Sequence, residues 1–304
     1  MRPIKATVAK LKRLAGIVFK LNERLDEINF NQGLILSELS KSKGSTQLRD
    51  HEFKVFSQWG EDGILQYLLR VVPIVNQTFI EFGVEDFFQS NCRFLMMKDN
   101  WRGFVIDGSE ENIERLKTSY FFWKHELGAL ASFITRENIN ELLSHSGFEE
   151  DLGILSIDLD GIDLYVLEAI TNFRPRILIC EYNAVFGVER KISVPYDPAF
   201  VRTARHSSNL YAGASLAALH HVAAMKGYSL VGTNSAGNNA FFVRNDLLGS
   251  QLAALDVRQG FTPSRFRESK DAQGLLSHVG DEARIQPIKG LPVYNVETGK
   301  LEAL

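Results

Sequence analysis

The run Thr78-Phe-Ile-Glu-Phe-Gly-Val-Glu-Asp86, with the carboxylate of Phe104-Val-Ile-Asp107 placed 24 residues after Gly83, constrains this chain more than any other feature. It reads as a strand, a tight turn and a second strand ending on an acid, the opening move of an α/β sheet that binds a ligand beyond its strand ends. The turn lacks the further glycines of a dinucleotide fingerprint and carries Glu85 and Asp86 instead. Carboxylates in that position repel a pyrophosphate and attract a cation.

Strand and helix patterns then alternate. A helix with Ile64, Leu65, Leu68 and Leu69 on one face leads into the first strand, Phe79 to Phe82. Further strands are expected at 103–106, 131–134, 154–157 and 176–180, separated by helices at 91–99, 110–117, 136–144 and 164–170. After a helix over 214–225, the runs 228–231 and 240–243 stand only about eight residues apart, too few for a helical crossover. The expected fold is therefore α/β and doubly wound: a mainly parallel seven-stranded sheet closed by an antiparallel C-terminal hairpin.

Ahead of this domain, Ile4, Thr7, Leu11, Leu14, Val18, Leu21, Leu25, Ile28, Gln32, Ile35 and Leu39 alternate spacings of three and four. That heptad predicts an N-terminal helical coiled coil, with Gln32 setting register, and a homo-oligomer joined through residues 4–39. Packing of one amphipathic helix on its own domain and contact of a basic helix with a membrane surface are the other two readings. Gly16 and Gly33 each weaken the helix by about 1 kcal/mol relative to Ala. Lys41 to Thr46 reads as a flexible linker. The expected units are the helix at 1–45, the α/β domain at 51–245, and an extension or cap at 246–304. A net charge of −3 argues against nucleic acid, although the first 24 residues hold seven basic side chains against Glu23 alone. Two cysteines, one inside an apolar run, fit a reducing cytoplasm. No stretch near the start reaches the roughly 20 apolar residues of a membrane span.

Beyond the strand ends the sequence places a rim of acids: Glu81, Gly83 and Glu85 after strand one, Asp107 after strand two, Thr135 after strand three, Asp158 and Asp160 after strand four, and Glu181 with Asn183 after strand five. S-adenosylmethionine, with its sulfonium and ammonium, suits such a rim better than NAD. Glu81 is expected to accept from the cofactor amine, and Gly83 to let the backbone approach the ligand. Asp107 offers two acceptors to a ribose diol. Asp158 and Asp160, on one side of an extended strand, would share a proton or, with Glu181, hold Mg²⁺. His206, in a long polar segment before the next helix, reads either as a general base or as a solvated loop histidine.

Phe56-Ser-Gln-Trp-Gly-Glu-Asp-Gly-Ile-Leu65, Glu81-Phe-Gly-Val-Glu85, Trp101-Arg-Gly-Phe-Val-Ile-Asp107, Leu155-Ser-Ile-Asp-Leu-Asp-Gly161 and Glu181-Tyr-Asn183 together resemble bacterial class I S-adenosylmethionine-dependent methyltransferases related to the FkbM group. The resemblance covers roughly residues 53–245. It implies that Glu81 and Gly83 hold the methionine part, Asp107 the ribose, and that Asp158 lies near the transferred methyl. It also implies O-methylation of a sugar, nucleotide-sugar or glycan acceptor in surface-polysaccharide or natural-product pathways, with Asp158 or His206 as base. The competing reading is a catalytically silent scaffold of the same fold, oligomerised by its coiled coil.

Overall fold

The computed structural model describes residues 2–304, with the side chains at 2–9, 11, 12, 14, 15, 18, 19 and 281 outside the description. Parallel strands β1 (Thr78–Phe82), β2 (Arg102–Asp107), β3 (Leu127–Ala131), β4 (Ile154–Ile157) and β5 (Ile177–Glu181) form most of the main sheet. Strand β6 (Ile192–Ser193) stands apart, and β7 (Tyr228–Thr233) and β8 (Asn239–Arg244) complete the sheet. The order is β3-β2-β1-β4-β5-β8-β7, with β8 antiparallel to both neighbours. The expected seven strands and closing hairpin are therefore present. The order reverses between β1 and β4, which puts the ligand crevice beyond the carboxyl ends of those two strands.

All five residues of β1 are buried, as a central parallel strand requires. Period-two alternation sends Phe79 into one core and Ile80 and Phe82 into the other. The Phe79 side is covered by α2 (Glu61–Val71), α3 (Arg93–Asp99) and α4 (Glu110–Lys117). The Ile80 side is covered by α5 (Ile139–Ser144), α6 (Asp163–Ala169) and, beyond the single turn α7 (Arg202–Arg205), by α8 (Leu216–Met225). The third strand lies at 127–131 rather than 131–134. Its pairing with β2 runs from Gly103–Leu127 to Asp107–Ala131, and tertiary pairing overrides the stronger β propensity of Phe133-Ile134. The C-terminal extension contains a feature without a sequence signal: β9 (Pro292–Asn295) and β10 (Lys300–Ala303) pair with β6 in a second, three-stranded sheet.

Helix α1 (Arg2–Lys41) covers the whole heptad region, about 60 Å at 1.5 Å per residue. Heptad positions Ile4, Thr7, Leu11, Leu14 and Val18 lie outside the described side chains. Leu21, Leu25, Ile28, Ile35 and Leu39 are each about half exposed or more, so the seam faces away from the domain. A different face docks. Asp26, Phe30, Gly33, Ser37 and Ser40, also spaced by four and three, meet Arg93, Phe94, Val55, Gln66 and His51. A Cβ at Gly33 would overlap Val55 and Phe94, so this glycine serves close packing. The segment after the helix is tied down as well: the buried His51 ring meets the Ser45 carbonyl at 2.8 Å through Nε2. No described helix is long and apolar enough to cross a membrane.

The strongest docking contact is ionic. The Arg93 side chain is fully buried between the rings of Phe56 and Phe121, 4.0 and 4.2 Å from their centroids, and pairs with Asp26, which also accepts from the Tyr120 hydroxyl at 2.9 Å. Removing one partner of such a pair strands the other charge without water. Asp26→Ala is expected to lower the unfolding free energy by about 3 kcal/mol in urea titration. A change below about 0.5 kcal/mol would show that the contact does not anchor α1.

Candidate functional site

The loops above the sheet are shaped by carboxylates that receive backbone donors. Asp62, at the start of α2, accepts through one oxygen from the backbone N–H groups of Val55, Phe56 and Ser57 and from the Ser57 hydroxyl, at 2.7 to 2.9 Å. Glu61 accepts from the N–H groups of Trp59 and Gly60 and from the amides of Asn234 and Asn239, joining this loop to the β7–β8 turn. This is what the Phe56–Asp62 motif does: its two acids fold their own loop.

Glu81 follows the same logic. Its odd position in β1 points it to the Phe79 side, where the Ser90 hydroxyl (2.6 Å) and the N–H groups of Asn91 (2.8 Å) and Cys92 (3.3 Å) donate to it. Both oxygens accept from the entry to α3, so Glu81, which the sequence suggested as an acceptor for a cofactor amine, anchors a loop as well. Gly83, at φ +68°, also serves the protein: a Cβ there would overlap the Asp158 carbonyl oxygen. The turns after β1 and β4 thus touch at the switch point. Glu85 and Phe87 adopt φ of 49° and 64°, a conformation that costs a non-glycine residue about 1 to 2 kcal/mol. The Glu85 N–H donates to Asp107 at 2.8 Å, and Phe87 is buried near Phe79 and Phe121, which together hold the turn. The other Asp107 oxygen accepts from the Ser109 N–H at 2.8 Å and the Asn112 amide at 3.3 Å.

Three acids lack this support. Among the described residues, Asp158 and Glu181 accept no hydrogen bond, and Asp160 meets only the Arg202 guanidinium at 2.6 Å. One oxygen from each of Asp158, Asp160 and Glu181 lies within 4.8 Å of the others. The triad named from sequence is therefore assembled, although by a different route. Strand β4 stops at Ile157, and Asp160 swings back through a left-handed turn at φ 54° held by Asp163, which accepts from the Leu159 and Gly161 N–H groups. Burial, then the charges of neighbouring acids, raises Asp158 and Glu181 well above the ordinary carboxylate range. Burial alone would lower Arg202, but the Asp160 and Glu181 charges outweigh it and raise it instead. Two close carboxyls with one guanidinium nearby can hold a proton, a cationic ligand or a metal ion.

The remaining expectations fare differently. His206 is turned into its own loop, with Nδ1 2.8 Å from the Ser208 hydroxyl and 3.2 Å from the Ser208 N–H, and it is not among the residues lining the cleft beside Glu181. Arg202, four residues earlier in the same segment, reaches the acids instead. It was missed because a lone arginine in a polar loop carries no sequence signal. Thr135 lies four residues past the end of β3 and exchanges local bonds with Asn138 at the start of α5, away from the strand end. Asn183 clamps the carbonyls of Leu210 and Ala212, both at 2.9 Å, and so shapes the cleft beyond β5.

No family model and no curated protein matches the chain. Similar solved structures include the O-methyltransferase from Bacillus cereus in complex with SAH, at 12% identity over 70% of this chain and 88% of that one, with a TM-score of 0.38. An O-methyltransferase family protein from Burkholderia thailandensis matches at 10% identity over 67% of this chain and 59% of that one, with a TM-score of 0.36. The putative methyltransferase in the Haloferax volcanii complex with the Trm112 methyltransferase activator matches at 15% identity, covering 55% and 67%, with a TM-score of 0.34. This chain thus spans about two thirds or less of the last two.

The buried anchors leave a signature in pH. Burial raises Glu81 to about 7 and Asp62 and Asp163 to about 6. From about pH 4, where unfolded carboxyls titrate, to about pH 7 the folded chain therefore holds more protons than the unfolded one. The stability tied to the protonated form is complete below that window and is lost as pH rises through it. His51, His125 and His220, lowered by burial, act in the opposite sense, so the decisive quantity is a difference. The stability of wild type relative to Glu81→Gln is expected to fall between pH 4.5 and 7.5; a flat or rising difference contradicts the burial of this group.

Proposed function

We propose that the chain is an S-adenosylmethionine-dependent O-methyltransferase acting on a hydroxyl of a sugar or glycan, as the resemblance in its motifs implies. The observation that carries the reading is the pair Asp158 and Glu181, carboxyls without donors of their own beside the switch point of a sheet whose β8 is antiparallel. Bound S-adenosylmethionine supplies an electrophilic methyl on a sulfonium. The rim suits that positive charge, because the carboxyls of Asp158 and Glu181 have no hydrogen-bond donor among the described residues and are open to a cationic ligand. Asp107, with spare lone pairs on an oxygen aligned by the Glu85 N–H, is assigned to the ribose diol. The turn at Gly83 and Glu85 forms the wall beside the methionine part. Asp158, made more basic than an ordinary carboxylate by burial, takes the proton of the acceptor hydroxyl as the methyl passes in line from the sulfonium, which leaves as S-adenosylhomocysteine.

The same triad brings three carboxylate oxygens within 4.8 Å of one another, a donor set of the kind a divalent ion such as Mg²⁺ would take. Asp158, Asp160 and Glu181 would hold it, with Arg202 released from Asp160, and it would lower the pKa of the acceptor hydroxyl.

The exposed seam of α1 is assigned to a second copy of the chain. Alternation of three and four keeps one stripe facing a partner helix, and Gln32 in that stripe finds its counterpart in an identical strand. Sedimentation is expected to give at least twice the chain mass, reduced to one by Leu25→Lys with Ile35→Lys; a wild-type monomer contradicts the assignment.

Titration calorimetry tests the activity. Wild type is expected to bind S-adenosylmethionine, and Asp107→Ala to weaken it at least tenfold. Unaltered affinity in the variant removes the ribose role. Absence of heat with wild type is the result that the scaffold reading requires.

A further inference from the structure

Glu181 lines the cleft beyond β5, and the same cleft holds a buried guanidinium that makes no ion pair among the described residues. Arg284, in the 3-10 helix Asp281–Ile288, is 5% exposed and lines this cleft with Glu181, Arg202, Ser264 and Phe266. Among the described residues no carboxylate pairs with it. Its Nη2 donates to the Glu268 carbonyl at 3.4 Å, its Nε finds no acceptor, and the Phe266 ring lies 5.6 Å from the guanidinium. Arg202 differs, being committed to Asp160 and to the Asn209 carbonyl at 2.9 Å. Burial, and after it the charge of Arg202, lowers the pKa of Arg284, and the nearby Glu268 carboxylate offsets them only in part. A buried guanidinium with unused donors is destabilising unless an anion completes it. Its planar fork suits a carboxylate or a phosphate. Beside it, Phe266 stacks on Trp59 at 5.5 Å and 13°, which holds the ring against the guanidinium.

We propose that the cleft, whose cavity volume of about 30 Å³ admits an anionic group rather than a sugar ring, takes the carboxylate or phosphate of an acidic acceptor sugar, with Arg284 as the residue that binds it. This rests on the reading of the acceptor as a sugar. The anion meets Arg284, and the hydroxyl to be methylated faces Glu181, the member of the acid triad that lines the same cleft.

The test is calorimetry on the full chain with glucuronate, glucose 1-phosphate, inorganic phosphate and glucose, and with S-adenosylmethionine in parallel. At least one charged sugar is expected to bind tenfold or more tighter than glucose, and the two charged sugars distinguish carboxylate from phosphate. Inorganic phosphate reports whether the anion alone suffices. Arg284→Gln is expected to erase the preference while leaving S-adenosylmethionine affinity within twofold. Ser264→Asp, which supplies a carboxylate within the cleft, is expected to erase it too and serves if the first variant does not fold. Equal binding of charged and neutral sugars, or a preference that survives in a folded variant, overturns the proposal. Loss of S-adenosylmethionine binding in wild type would instead overturn the methyltransferase reading.

Discussion

Backbone N–H groups in the loops above the sheet are met by buried carboxylates, and the shape of the site depends on that exchange. A loop that leaves a strand end must satisfy its own donors, and water is excluded here by α2, α3 and the β7–β8 turn. Asp62, Glu61, Glu81, Asp107 and Asp163 each accept at least two donors from such loops. Their desolvation is the cost, seen in the raised pKa values of Asp62, Glu81 and Asp163. A carboxylate that folds a loop cannot be traded for a neutral apolar side chain without releasing several donors at once.

Those commitments sort the acids into two kinds. Once the anchors are set aside, Asp158, Asp160 and Glu181 remain, with Arg202 as their only guanidinium neighbour among the described residues. Among the described residues no hydrogen-bond donor reaches the carboxyls of Asp158 and Glu181. Arg284 is likewise incomplete. Glu181 and Arg284 line one cleft, so a carboxyl without donors and a guanidinium without an ion pair stand in it together among the described residues.

Much of this was legible in the sequence because the signals were local. Apolar runs separated by helical patterns gave strands β1, β2, β4 and β5, and a short connection gave the terminal hairpin. The Asp158, Asp160 and Glu181 triad was visible because adjacent strand ends converge. What stayed hidden required partners far along the chain. Glu81 looked like a ligand acceptor until Ser90, Asn91 and Cys92 were placed against it. Gly33 looked like a flaw in a helix, yet its bare backbone is what lets α1 lie on Val55 and Phe94. The docking stripe Asp26, Phe30, Gly33, Ser37 and Ser40 is too polar for hydrophobic periodicity to reveal. Strands β9 and β10 lack a clean alternation, and β10 is mostly exposed, so only the pairing of β9 with β6 and with β10 makes them strands.

The division between committed and free acids is open to direct observation. Carbon-13 NMR of side-chain carboxyls, with Asp158, Glu181, Glu81 and Asp107 assigned by substitution, follows each group with pH and with added S-adenosylmethionine. The account requires Asp158 and Glu181 to titrate above the ordinary range when free and to shift on addition of the cofactor, while Glu81 keeps its titration unchanged. Ordinary titration of Asp158 and Glu181, or a cofactor response confined to Glu81, would contradict it.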